Sequence, residues 1–194
     1  MRQTIISLCV AGSIALVPAA SALAQSSGLP GDHGRMMDGI FPANPPPLPQ
    51  GTPMPRATVR ALAIDLALRA TQTIAQECKQ YALGVAVVNA QGAPILIYVP
   101  DGSDPSHGYT AVRKGYTAIT FKVDTSQLVK KGQQDADFAA KVKADPNLMA
   151  FSGGVLLKVG DEIIGAIGVS GAEPGHHDEE CGLKGLNNIK KQLK

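Results

Sequence analysis

His176 and His177 stand side by side, immediately ahead of Asp178, Glu179 and Glu180. Imidazole and carboxylate together suit a borderline metal such as zinc, although adjacent side chains rarely converge on one ion. A helix starting there explains the carboxylates without a metal. Acidic groups at a helix start meet unpaired amides and the positive end of the macrodipole, and Asp178 is the natural N-cap. Capping is therefore the preferred reading. A third histidine, His107, closes a polar loop over residues 101–108, and Arg113 and Lys114 follow it by one to two helical turns. On its own it reads as an exposed loop residue or a cap.

Hydrolytic and phosphoryl chemistry find little support. Gly168-Val169-Ser170-Gly171 ends a strand without the Gly-x-Ser-x-Gly turn of a nucleophile elbow. Gly153-Gly154 is not followed by the Gly-Lys-Ser/Thr ending of a phosphate loop. Nothing in the chain demands an enzyme. The formal net charge of +2 leaves no electrostatic footprint for nucleic acid and little for anionic lipid.

These residues must be positioned by the elements around them. Val59, Leu62, Leu66, Ala70, Ile74, Cys78 and Tyr81 recur at spacings of three and four, which predicts one stripe of a long helix. Residues 83–88 and 94–99 flank the turn residues Asn89 to Gly92 and predict a hairpin, with Pro94 at a strand start or on an edge. Val112, Tyr116 and Ile119 predict a second helix with Ser106 as its N-cap. Thr125 is placed to cap a short third helix, and an amphipathic stretch ends at Asp145-Pro146. Residues 148–152, 154–159 and 162–170 read as strands, the last two joined by a Gly160-Asp161 turn of type II′. Gly165 and Gly168 leave room for a helix or ligand against the last strand. A helix from about Asp178 carries Cys181, Gly182, Gly185, Leu186, Ile189 and Leu193 on its apolar side. The expected fold is α+β, with an antiparallel sheet of about five strands and long first and last helices packed on it.

Ahead of this domain, Arg2 precedes an apolar run over residues 5–17, then Pro18 and the small-residue sequence Ala22-Leu23-Ala24. That order reads as a signal peptide over residues 1–24, cut before Gln25. The run is short of the roughly 20 residues a membrane anchor needs, so no membrane attachment is expected after cleavage. Residues 25–56 are rich in Pro, Gly, Asn and Met and centre on Pro45-Pro46-Pro47. They read as a semi-stiff polyproline spacer. The domain then covers residues 57–194. Loss of Cys9 with the leader leaves Cys78 and Cys181 in an oxidising compartment. If the first and last helices pack antiparallel, the two sulfurs become neighbours and a disulfide follows. Two separately buried thiols are the alternative.

Three blocks carry a resemblance: Gly84-Val85-Ala86-Val87-Val88-Asn89-Ala90-Gln91-Gly92, Lys114-Gly115-Tyr116-Thr117-Ala118 with Phe121 and Thr125, and Gly165-Ala166-Ile167-Gly168-Val169-Ser170-Gly171. In order and composition, from about Thr58 onward, the chain resembles the GlcG/HbpS-like haem-binding family. Asn89, Gly115 and Cys181 depart from the family's usual residues. The resemblance implies a profilin-like sandwich of two or three layers, symmetric homo-oligomers, and in some members haem held near subunit interfaces.

Haem needs an apolar slot, an axial ligand and usually a basic group near its propionates. His107, His176, His177 and the methionines offer ligands, and the lack of a Cys-x-x-Cys-His sequence excludes covalent c-type attachment. His107 is the first candidate because it directly precedes the family's lysine motif, with Arg113 and Lys114 close behind. Lys114 and Thr117 match that motif residue by residue, and the family associates the threonine with the haem region. The role implied is a periplasmic or secreted haem-binding or haem-sensing accessory protein. The alternatives are a cofactor-free accessory protein whose spacer docks on a partner enzyme, or a small-molecule enzyme of unknown reaction.

Overall fold

The computed structural model describes residues 61–194. The leader, the spacer and Val59 lie outside the described residues. Helix α1 spans Ile64–Glu77 and buries Ala67, Ala70, Thr71 and Ile74, the inner stripe of the periodic segment. It begins later than the stripe predicts, since Leu62 packs into the core from the residues before the helix. The hairpin β1 (Gly84–Asn89) and β2 (Pro94–Tyr98) follows. Asn89 closes its turn by accepting the amides of Gln91 and Ala93 at 2.9 and 3.0 Å, work that its short amide side chain performs without an aspartate's charge. Pro94 begins the edge strand, where its missing N–H costs no ladder bond.

Helices α2 (Ser106–Phe121), α3 (Ser126–Gln134) and α4 (Ala136–Ala144) form the middle of the chain. Their caps differ from the sequence expectation. Pro105 occupies the N-cap position of α2, and Asp104, not Ser106, supplies the carboxylate, accepting the Ser106 amide at 2.8 Å. Thr125 sits at the N-cap of α3, but its hydroxyl accepts the Gly154 amide at 2.8 Å and so joins the helix start to the sheet. Asp135 does cap α4, through the Phe138 amide.

β3 (Gly154–Val159) and β4 (Glu162–Ser170) complete an antiparallel sheet of order β2-β1-β4-β3. The sheet therefore has four strands, not about five. Residues 148–152 are not a strand, because the Met149 amide donates to the Thr117 hydroxyl at 2.7 Å instead of to a strand partner. Helix α5 (His176–Ile189) and a short 3₁₀ turn, Lys190–Gln192, end the chain.

Strand alternation builds a three-layer sandwich. Val85, Val87, Ile167 and Val169 face α1 and α5, whereas Ala86, Val88 and Ala166 face Ala111, Val112 and Ala118 of α2. The α2 layer lies close because Gly168 has no side chain: a Cβ there would sit 1.8 Å from the Ala111 carbonyl oxygen. Gly115 fits against Val88 in the same contact, which accounts for a glycine where the family usually has alanine. On the opposite face α1 and α5 run antiparallel. Cys78 is bonded to Cys181, with Cα atoms 6.1 Å apart, Gly185 lies on Ile74, and Arg69 reaches Gln192 near the chain's end. The two cysteines thus form the disulfide that the sequence left open. Among the described residues no helix is long and apolar enough to cross a membrane.

Candidate functional site

One cleft gathers most of the chemistry. About 260 Å³ in volume, it lies where the start of α2, the end of β4 and the start of α5 meet, and its lining includes His107, Lys114, Met149, Phe151, Glu173 and Asp178. His107 enters it from the first turn of α2. Its Nδ1 lies 2.7 Å from the carbonyl oxygen of Ala82, an acceptor only, so in the neutral ring Nδ1 carries the proton and donates. The lone pair is then on Nε2, and the ring orientation is fixed from behind, the arrangement common for metal-ligating histidines. Gly171 makes room for this seat. Its φ is +118°, and a Cβ would approach the Ala82 oxygen to 2.5 Å and His107 Nδ1 to 2.6 Å.

Lys114 is 4 % exposed and Asp178 2 %. Their side chains meet at 2.6 Å, so the buried ammonium has a buried counter-ion. Asp178 also accepts the Ala172 amide at 2.9 Å, which ties the end of β4 to α5. It is not the N-cap of α5; that position is held by Gly175. Burial pushes the Asp178 carboxyl above its ordinary value, while Lys114, the Ala172 amide and His107 pull the other way without cancelling it. The three acidic residues that the sequence groups as a helix start have separate duties. Asp178 pairs with Lys114, Glu179 accepts the amide and hydroxyl of Ser126, and Glu180 meets His177.

Arg113 and Thr117 do not line the cleft. They grip the segment that walls it: Arg113 donates to the Leu148 carbonyl at 2.9 Å, and the fully buried Thr117 takes the Met149 amide while its own hydroxyl donates to the Arg113 carbonyl at 2.7 Å. Met149 and the 64 % exposed Phe151, the cleft's apolar side, depend on these bonds for their place. Replacing Thr117 with valine is expected to cost about 1–3 kcal/mol, because a partly buried amide loses its acceptor. Hydrogen exchange at the Met149 amide should quicken well beyond that at the β1 amides. Equal protection in the variant would refute the tether.

His176 and His177 lie outside this lining, on the outer side of α5, where Glu180 approaches both. Sequence reasoning missed Met149, Phe151, the Ala82 carbonyl and Asp178 as parts of the cleft. Only Asp178 carried a signal, an acid grouped at a helix start, and that signal was read as a cap because the lysine it pairs with is 64 residues away.

The family model described as "Haem degrading protein HbpS-like" matches residues 61–187, a span that contains every lining residue named above. The chain belongs to the HbpS-like family. A double mutant of Streptomyces reticuli HbpS superposes with a TM-score of 0.60 at 28% identity, covering 75% of this chain and 97% of that one. The Klebsiella pneumoniae protein ORFY gives a TM-score of 0.64 at 19% identity (72% and 97% covered), and PduOC in its haem complex gives 0.61 at 20% (66% and 95%). These last two likenesses speak for the fold alone. No curated protein is similar enough in sequence to be matched. Within the HbpS-like fold, the sequence departures at Asn89, Gly115 and Cys181 are a turn cap, a close helix contact and one half of a disulfide.

Proposed function

We propose that the chain is an extracytoplasmic haem-binding protein whose iron ligand is His107. The observation that carries this is the Nδ1–H bond to Ala82, which directs the ring's lone pair to Nε2. The donor set fits the group: an oriented imidazole, a buried ammonium at Lys114, and apolar atoms from Met149 and Phe151 along one wall. Bound haem would supply an iron centre open to a further ligand. The protein's own residues orient the imidazole and shield one edge of the ring from water, and Lys114, paired with Asp178, is the cation in the lining. Glu173 and Asp178 share the lining, and the Lys114–Asp178 pair keeps that buried charge compensated before any ligand arrives.

A cleft of about 260 Å³ is at or below the roughly 300–1,000 Å³ of sites that enclose a small ligand. One subunit therefore shields only part of a macrocycle. This supports the homo-oligomeric arrangement implied by the family, in which a second copy covers the rest. The periplasmic or secreted location rests on the leader and on the disulfide chemistry, and a haem-sensing role rests on the family alone.

Titration of the purified protein with hemin is expected to give a saturable shift of the Soret band. His107→Ala should weaken binding by about tenfold or more, the scale on which even outer-shell changes act at metal sites. Following the same band over time under reductant and oxygen separates storage, in which it persists, from degradation, in which it bleaches. No Soret shift, or a shift indifferent to His107, would remove the haem site or its ligand respectively.

A further inference from the structure

We propose a second, separate metal site on the outer face of α5, built from His176, His177 and Glu180 and suited to a borderline divalent cation such as zinc. Neighbouring histidines on a helix point apart, which argues against convergence in sequence. Glu180 resolves this, because it lies four residues from His176 and three from His177 and so shares a face with each. Its two oxygens divide between the rings, with Oε2 at 2.7 Å from His177 Nδ1 and Oε1 at 4.0 Å from His176 Nε2. One ligand atom from each of the three residues lies within 4.8 Å of the others. Donors about 2.0–2.2 Å from one ion lie no more than ~4.4 Å apart, so the three side chains must draw together slightly to close on it.

The site is partly organised before any ion binds. The Tyr81 ring stacks on His177 with centroids 5.4 Å apart and planes inclined by 23°, and the two imidazoles lie 4.1 Å centroid to centroid. Glu180 already accepts a hydrogen bond from His177 Nδ1, and an ion bound through Nδ1 takes the place of that proton. Two features oppose a cation: the positive end of the α5 macrodipole and the Lys184 ammonium, which is drawn off to the Glu77 carbonyl at 3.2 Å. Both act weakly at an exposed surface, whereas two imidazoles and a carboxylate bond the ion directly. Their nitrogen and oxygen donors favour zinc, copper(II) or nickel over calcium or magnesium. Three protein ligands leave a position for water.

Titrating the full chain with zinc chloride by calorimetry tests this independently of haem. One saturable ion per chain is expected, with affinity lowered at least about tenfold in His177→Ala and in Glu180→Gln, and unchanged in His107→Ala. These residues are surface-facing or half-buried, and circular dichroism checks that each variant is folded. Absence of saturable binding, binding undiminished in both α5 variants, or loss in His107→Ala in their place overturns the site.

Discussion

Replacing Cys78 and Cys181 together by alanine is expected to lower the stability of the folded domain by about 4–5 kcal/mol. The bond closes a loop with a sequence separation of 103 residues, and in the chain-entropy account a loop of about that length restricts the unfolded ensemble by ~4.7 kcal/mol. Both sulfurs are buried between α1 and α5. Alanine fills less of that space, so the cavity adds to the loss and does not offset it. Urea unfolding of the oxidised, the reduced and the alanine forms measures it. The reduced form should lie well below the oxidised one, and the alanine form somewhat lower still. A shift under about 1 kcal/mol would mean that the helix contact around Gly185 and Ile74 holds the α1–α5 layer unaided.

The second large effect concerns Lys114 and Asp178. Asp178→Asn leaves a buried ammonium without its counter-ion and is expected to cost about 3–5 kcal/mol. Lys114→Met leaves the carboxylate, which has another outlet, since it can take up a proton. Burial already raises Asp178 above its ordinary value, and removing Lys114 raises it further. The sign follows from that direction. A carboxyl whose folded value lies above its unfolded one contributes stability that is fully present below the unfolded value and is lost as pH rises through the folded one. The deficit of Lys114→Met against wild type should therefore be small in acid and widen as pH rises through the carboxyl's raised value. A pH-independent deficit would show that Lys114 acts by packing alone. The double variant Lys114→Met/Asp178→Leu should recover the part of the loss due to an unpaired buried charge but not all of it, because the Ala172 amide still lacks its acceptor.

Period and turn chemistry made the architecture legible. The stripe through Leu66, Ala70 and Ile74, the Asn89 to Gly92 turn and the Gly160 hairpin follow local rules, and each appears where those rules place it. The errors arose where a polar group found a distant partner. Met149 chose the Thr117 hydroxyl over a fifth strand, Gly154 took the hydroxyl of Thr125, and Asp178 left the helix start for a lysine 64 residues away. Such choices depend on tertiary approach, which spacing does not encode. The site divides in the same way. His107 and Lys114 line one cleft, whereas Arg113 and Thr117 support its wall from behind. A motif read residue by residue cannot separate contact from support, because both are held to the same sequence positions by the same helix.

Three layers of control converge on His107. The Ala82 carbonyl sets its tautomer, Gly171 leaves space for its ring, and the Lys114–Asp178 pair fixes the charge nearby. Resonance Raman spectroscopy of the ferrous, hemin-loaded protein reads the outcome at the atom concerned. An iron–imidazole stretching band is expected in wild type, lost in His107→Ala and restored there by added imidazole. A band that survives in His107→Ala, or wild-type protein that takes up hemin without showing one, would contradict the assignment of this cleft.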